Sequence, residues 1–313
     1  MTRHLPKSPR IRQSGRAVFA SALAATFAAA PALAAPPQVL ADTPAVGSLV
    51  AQVMGDLGRP DVLLAPGADA HDFQLRPSQA VALAGADLLF WVGPVFTPWL
   101  ERAIKGVGLR GTSVPLLQAE GVYLRGYEDG HDHGTDPLNN TDPHAWLDPQ
   151  NAAVWVDAIA TRLAGVDPEN APTYAANAQA AREGLAALDA DLAQALGPVR
   201  TAPLILFHDA YGYFADHYGL TIAGTIALGD AARPGAGRIA AIRETLVETG
   251  AACVFPEVQH DPALVRVVIE GTGARIGGAL DPAGSSLPPG PDHYERLMRG
   301  LAETILACLR PKI

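Results

Sequence analysis

Three histidines and one aspartate sit just beyond apolar runs or in short turn phrases, each in a segment of its own. His71 follows DVLLAPGADA, His208 follows PLILF, His144 lies in TDPHAWLDPQ, and Asp281 follows ARIGGAL. In open α/β sheets the ligand lies beyond the carboxyl ends of the strands, so four such segments can deliver one group each to a common cleft. Three neutral imidazoles and a carboxylate suit a borderline-soft divalent cation, zinc first. The chemistry implied is capture of a transition metal. The polar stretch HDHGTDPLNNTDP, directly before His144, adds His131 and His133 as auxiliary metal-collecting groups, or as ordinary residues of a solvated loop.

Other histidines carry less. His260 follows PEVQ at another strand end and lines the cleft at most; His217 and His293 read as helix-surface or helix-terminus residues. Glu257 in FPEVQ is a general base only if a metal holds a water. Its better role is to order neighbouring groups. Signatures of other chemistries are missing, with no HExxH helix, no GxSxG elbow and no GxxxxGK[ST] phosphate loop.

The elements that must position these groups alternate strand and helix from Pro37 onward, the pattern of βα units with a mostly parallel sheet. Strands are expected at 38–41, 61–65, 87–92 and 113–117, with helices near 46–57, 77–84 and 97–104. Asp148 is placed to cap a further helix. The segment 121–143 has no apolar period and reads as a mobile loop. From Pro168 to Leu196, alanine, leucine, glutamate and glutamine predict one helix of roughly 40 Å. It stops at Gly197-Pro198. Strands then follow at 203–207, 220–225, 252–255 and 275–280, and helices at 209–217, 238–249, 262–270 and 293–309. The expected fold is α/β, two βα-repeat lobes joined by one long rigid helix. The expected divisions are 1–34 leader, 35–166 first lobe, 167–197 linking helix and 198–313 second lobe.

The leader reads as a cleaved signal peptide. Arg3, Lys7, Arg10, Arg12 and Arg16 precede an apolar stretch from Ala17 to Ala30, and Ala32-Leu33-Ala34 offers a small-residue cleavage site. That stretch is shorter than the roughly 20 residues of a spanning helix. No cysteine stands near it to take a lipid anchor, so a soluble periplasmic protein is expected. Losing those five of 23 basic residues leaves 18 against 32 acidic ones, a net charge near −14. Such a surface disfavours nucleic acid and anionic membrane and favours cations. The only cysteines, Cys253 and Cys308, read as one disulfide in an oxidising compartment, the alternative being two buried thiols.

Taken together, PGADAHDFQLRPSQAVALAGADLLFWVG, HAWLDPQNAAVWV, LFHDAYGYFADHYGL, ACVFPEVQ and GGALDPAG resemble the ZnuA-like zinc solute-binding proteins of bacterial ABC importers, in order and over nearly the whole mature chain. The resemblance implies two α/β lobes with the metal between them, in a non-enzymatic periplasmic protein that passes zinc to an inner-membrane permease; a monomer is expected, and the histidine-bearing loop leaves room for a periplasmic zinc-carrying partner. It places the three histidine ligands on His71, His144 and His208 and the carboxylate on Asp281, and it matches the cysteine pair to a disulfide. Two departures stand out: the loop before the second ligand is short, and Ala70 replaces the acidic residue that directly precedes the first histidine in some members. The alternatives are manganese uptake by the same transporter type, against which His208 argues, and more distantly a secreted zinc hydrolase or an adhesin.

Overall fold

The computed structural model describes residues 1–2, 36–65, 67–68, 70, 73–126, 140–227 and 234–310. Met1–Ala35 and Pro36–Ile313 form separate units, and the fold is that of the second.

Its first half runs β1 (Val39–Ala41), α1 (Pro44–Met54), β2 (Asp61–Val62), α2 (Pro77–Gly85), β3 (Leu88–Trp91), α3 (Pro98–Val107) and β4 (Thr112–Pro115). All strand pairs are parallel, in the order β2-β1-β3-β4. After α4 (Pro149–Val166) and α5 (Ala171–Leu196) the second half repeats the plan. It contains β5 (Pro203–Leu206), α6 (Gly212–Tyr218), β6 (Thr221–Thr225), α7 (Ala236–Thr249), β7 (Cys253–Phe255), α8 (Ala263–Ile269), β8 (Arg275–Ile276) and α9 (His293–Leu309). The sheet order is β6-β5-β7-β8, again all parallel. Both sheets therefore reverse winding direction between their first and third strands, and a doubly wound sheet offers its ligand crevice at such a reversal.

Side-chain alternation shows how the halves join. Leu204, Leu206, Cys253 and Phe255 point into a large core shared with β1, β3, α1, α5 and α9, whereas Ile205 and Val254 point into a smaller core that includes residues of α7 and α8. Period-two strands sandwiched between two apolar layers require this split. Along α5 the buried residues Tyr174, Ala178, Ala181, Leu185, Leu188, Leu192 and Leu196 recur every three or four positions, one continuous stripe. The long helix is therefore packed into the core along its length. A second tie is α9, whose Tyr294 N–H donates to Ser48 Oγ on α1 at 3.0 Å and whose Arg299 Nη2 donates to Asp191 on α5 at 3.0 Å.

Element order matches the sequence reading, with differences at ends. The long helix begins at Ala171 because Asp167-Pro168 opens a 3₁₀ turn first. Leu116 and Leu117, expected to end β4, instead open a 3₁₀ turn, Leu116–Gln118. The last strand, expected to reach Leu280, stops at Ile276. Gly277 lies against the Phe255 ring with no room for a Cβ, and the chain rejoins the sheet only as a bridge from Leu280 to Glu257. Asp148 caps α4 as expected, accepting from Gln150 N–H at 2.8 Å.

Cys253 and Cys308 form a disulfide across 55 residues, pinning α9 to β7. Changing both to serine is expected to lower stability to denaturant by about 3 kcal/mol, the loop-closure scale; an unchanged midpoint would contradict a stabilising role. His217 is no surface residue. Its Nδ1 lies 3.1 Å from Asp148 at the start of α4 and its Nε2 2.7 Å from Asp189 on α5. Only the imidazolium can donate to both, and the Asp148 bond first, then that to Asp189, holds its pKa above 6.5 despite burial. A raised folded value gives stability that is full below the unfolded value and lost as pH rises through the folded one. His217→Gln is thus expected to lower the melting temperature most in mildly acidic buffer and least in alkaline buffer. A pH-independent loss would contradict the charged clamp.

Candidate metal centre

The reversal in the second sheet falls between β5 and β7. Two residues beyond β5 stands His208; two beyond β7 stands Glu257. His208 Nδ1 lies 2.7 Å from each Glu257 oxygen, and the Tyr211 hydroxyl donates to Oε1 at 3.1 Å. Burial, then the Glu257 charge, raises the Tyr211 pKa well above its ordinary range, so the phenol stays a donor. With the carboxylate acceptor-only, the neutral ring carries its proton on Nδ1 and its lone pair on Nε2.

His144 repeats the device on the other side. Asp142 Oδ1 accepts from the His144 backbone N–H at 3.0 Å and faces its Nδ1 at 2.8 Å, which again assigns the lone pair to Nε2. The two imidazoles stand 5.6 Å apart between ring centroids, inclined at 64°. Phe96 and Trp146 meet His144 at 5.8 and 5.2 Å and make an apolar wall. Asp142 is fully buried. It lies 3.6 Å from the guanidinium of Arg125, which also binds Asp216 at 2.9 Å. Gly212 at the start of α6 allows this, because a Cβ there would strike the guanidinium.

His71 lies outside the described residues, but its neighbours are fastened to both halves. Trp99 Nε1 donates to Ala70 O at 2.8 Å, Gln259 Nε2 to Ala68 O at 3.0 Å, and Gly67 N to Ser285 O at 2.9 Å. Asp281 holds a turn: Oδ1 accepts from Ser285 N and Oγ, and Oδ2 from Ser286 N and Oγ, at 2.6–3.2 Å. Trp146 Nε1 donates to Pro282 O at 2.8 Å, tying that turn to the His144 segment. Each carboxylate oxygen has two acceptor sites, and these four hydrogen bonds fill them, so Asp281 can reach a metal only by releasing a serine donor.

His131 and His133 also fall outside the described residues. The ends of their loop, expected to be mobile throughout 121–143, are built in. Gly126 bridges Thr141, Asp142 N donates to Arg125 O at 2.8 Å, and Tyr123 exchanges two hydrogen bonds with Asn151 of α4. These are long-range pairs in a segment without periodicity, and so invisible in its pattern. Asp142 was missed for a related reason, although TDPH is a phrase in which an aspartate accepts the N–H two residues on. His293 is buried, not at the surface. Burial lowers its pKa, and its Nδ1 lies 3.1 Å from Pro288 O. His260 joins His208 and Glu257 in a group whose donor atoms all lie within 4.8 Å of one another.

A buried carboxylate behind each of two converging imidazoles is the arrangement by which proteins aim histidine at a transition metal. Comparison with known proteins agrees. Residues 39–308 match the family model described as ZnuA, zinc-uptake complex component A, periplasmic. The chain belongs to the ZnuA family. It is 46% identical to the high-affinity zinc uptake system protein ZnuA of Paracoccus denitrificans (strain Pd 1222), over 93% of this chain and 97% of that one. A crystal structure of ZnuA matches with a TM-score of 0.76 at 26% identity, covering 88% of this chain and all of that one. A 138–173 deletion mutant of ZnuA with zinc bound matches at 0.75 and 25%, over 89% and 100%. The family is a periplasmic transport component and not a family of enzymes.

Arg125 is the cation that accompanies buried Asp142. Arg125→Met is expected to cost about 3 kcal/mol, because a buried carboxylate then loses its charge partner. Equilibrium denaturation measures it, and a loss below about 0.5 kcal/mol, the ordinary surface range, would contradict the pairing.

Proposed function

We propose that this protein is a high-affinity periplasmic zinc-binding protein that delivers Zn(II) to the permease of an ABC importer. The observation that carries the reading is the pair His144 and His208, each with Nδ1 held by a buried carboxylate, which puts the ring's lone pair on Nε2. His71 supplies the third nitrogen, on a segment whose flanks are tied beside the Asp281 turn and the Glu257 turn. Imidazole donors favour zinc over manganese, which prefers oxygen. The names of the relatives point the same way.

Residues 1–34 act as a signal peptide removed on export, leaving a soluble monomer. Residues 35–166 and 198–313 form two lobes about the 167–197 helix. His131 and His133 collect zinc from solution or from a carrier protein and pass it inward. Asp281 completes the shell by giving up donors of its serine turn, so it contributes less than a histidine.

Zinc affinity, measured by competition with a chelating indicator, ranks these roles. His144→Ala and His208→Ala lose a direct ligand and are expected to show the largest losses. Asp142→Asn and Glu257→Gln keep the ligand but loosen its aim, for a loss of roughly 10–100-fold. Asp281→Ala should fall below the histidine variants. Wild-type affinity in either histidine variant would overturn the site.

A further inference from the structure

We propose that Glu257 and His260 hold a second, outer zinc position at the rim of the site, from which the ion passes to His208. The proposal deepens the zinc reading and rests on it.

The position is built from the turn after β7. His260 N–H donates to Glu257 O at 3.2 Å, which brings residues 257 and 260 to the same side. The His260 ring stacks on Phe207 at 4.3 Å and 16°, so its plane is set by an apolar contact rather than by a hydrogen bond. Its Nε2 then lies 3.7 Å from Glu257 Oε2, too far for a hydrogen bond. Two donors on one tetrahedral zinc, with bonds of about 2.0–2.2 Å, stand about 3.3–3.6 Å apart. A shift of a few tenths of an ångström would serve.

The two oxygens of Glu257 divide the work. His208 Nδ1 stands 2.7 Å from both, so Oε1, which also takes the Tyr211 hydroxyl, can go on aiming the His208 ring when Oε2 turns to an ion shared with His260. Exposure gives the direction of travel. The His260 side chain is 29% exposed, against 6% for His208 and 2% for Glu257, so an ion from solvent meets His260 first. His208 is the receiver and not a co-ligand at the rim, because its Nδ1 is committed to Glu257 and its metal-binding lone pair is on the opposite nitrogen. One imidazole and one carboxylate, completed by water, bind more weakly than the inner set, as a relay requires.

Calorimetric titration with zinc, with stopped-flow loading alongside, tests the assignment. The wild type is expected to bind one tight and one weaker equivalent. His260→Ala should lose the weaker equivalent, keep the tight one, and fill it more slowly. A weaker equivalent that survives His260→Ala, or disappears instead when His131 and His133 are both changed to alanine, overturns the outer position. So does a wild type that takes up one equivalent only. His144→Ala separates this proposal from the reading it rests on. Loss of the tight equivalent with the weaker one retained supports both. A tight equivalent that survives His144→Ala, while the weaker still depends on His260, removes the inner assignment and leaves the outer one standing.

Discussion

Two hydrogen bonds between imidazole and buried carboxylate organise this molecule, His144 to Asp142 and His208 to Glu257. A neutral imidazole has one proton and one lone pair, and whatever holds the proton decides where the lone pair points. Carboxylates out of water are costly to keep, several kcal/mol per ion, unless partners surround them. Much of the local construction reads as an answer to that cost. Arg125 lies beside Asp142, Gly212 gives the guanidinium room, and Tyr211 donates to Glu257. The imidazoles are held because their supports are buried, and the supports can be buried because they are paired.

Topology decides where those pairs can form. Each sheet winds in the order second, first, third, fourth, so each opens a crevice between its first and third strands. His208 and Glu257 occupy that crevice in the second sheet. In the first, Asp42 follows β1 and accepts from Val92 N–H beyond β3 at 2.9 Å; its burial pushes the carboxyl up to about 7. The same architectural position holds an imidazole–carboxylate pair in one half and closes the sheet end in the other. A core continuous through α5 and α9 joins the halves.

What the sequence displayed follows from range. The α5 and α9 periodicities, the βα rhythm and the single cysteine pair are local or combinatorial features, and the structure reproduces them. His144 and His208 were legible because strand-end histidines in turn phrases are unusual, and the structure brings these two together. Asp142 beside Arg125, the His217 clamp across three helices and the buried state of His293 depend on partners far away in sequence or on packing that no short window contains. The shortening of β8 is a steric matter between Gly277 and Phe255, equally hidden. Glu257 is the intermediate case: its ordering role was readable, but not that its object is His208.

The central claim is that zinc sits on the Nε2 side of both rings, with each Nδ1 still bound to its carboxylate. A crystal structure of the zinc-loaded protein, with anomalous scattering recorded at the zinc edge, reads this directly. The account predicts a fully occupied peak within bonding distance of Nε2 of His144 and of His208, with His144 Nδ1 on Asp142 and His208 Nδ1 on Glu257. Strong zinc density on the Nδ1 side of either ring, or confined to Glu257 and His260 while both Nε2 atoms hold no metal, would contradict it.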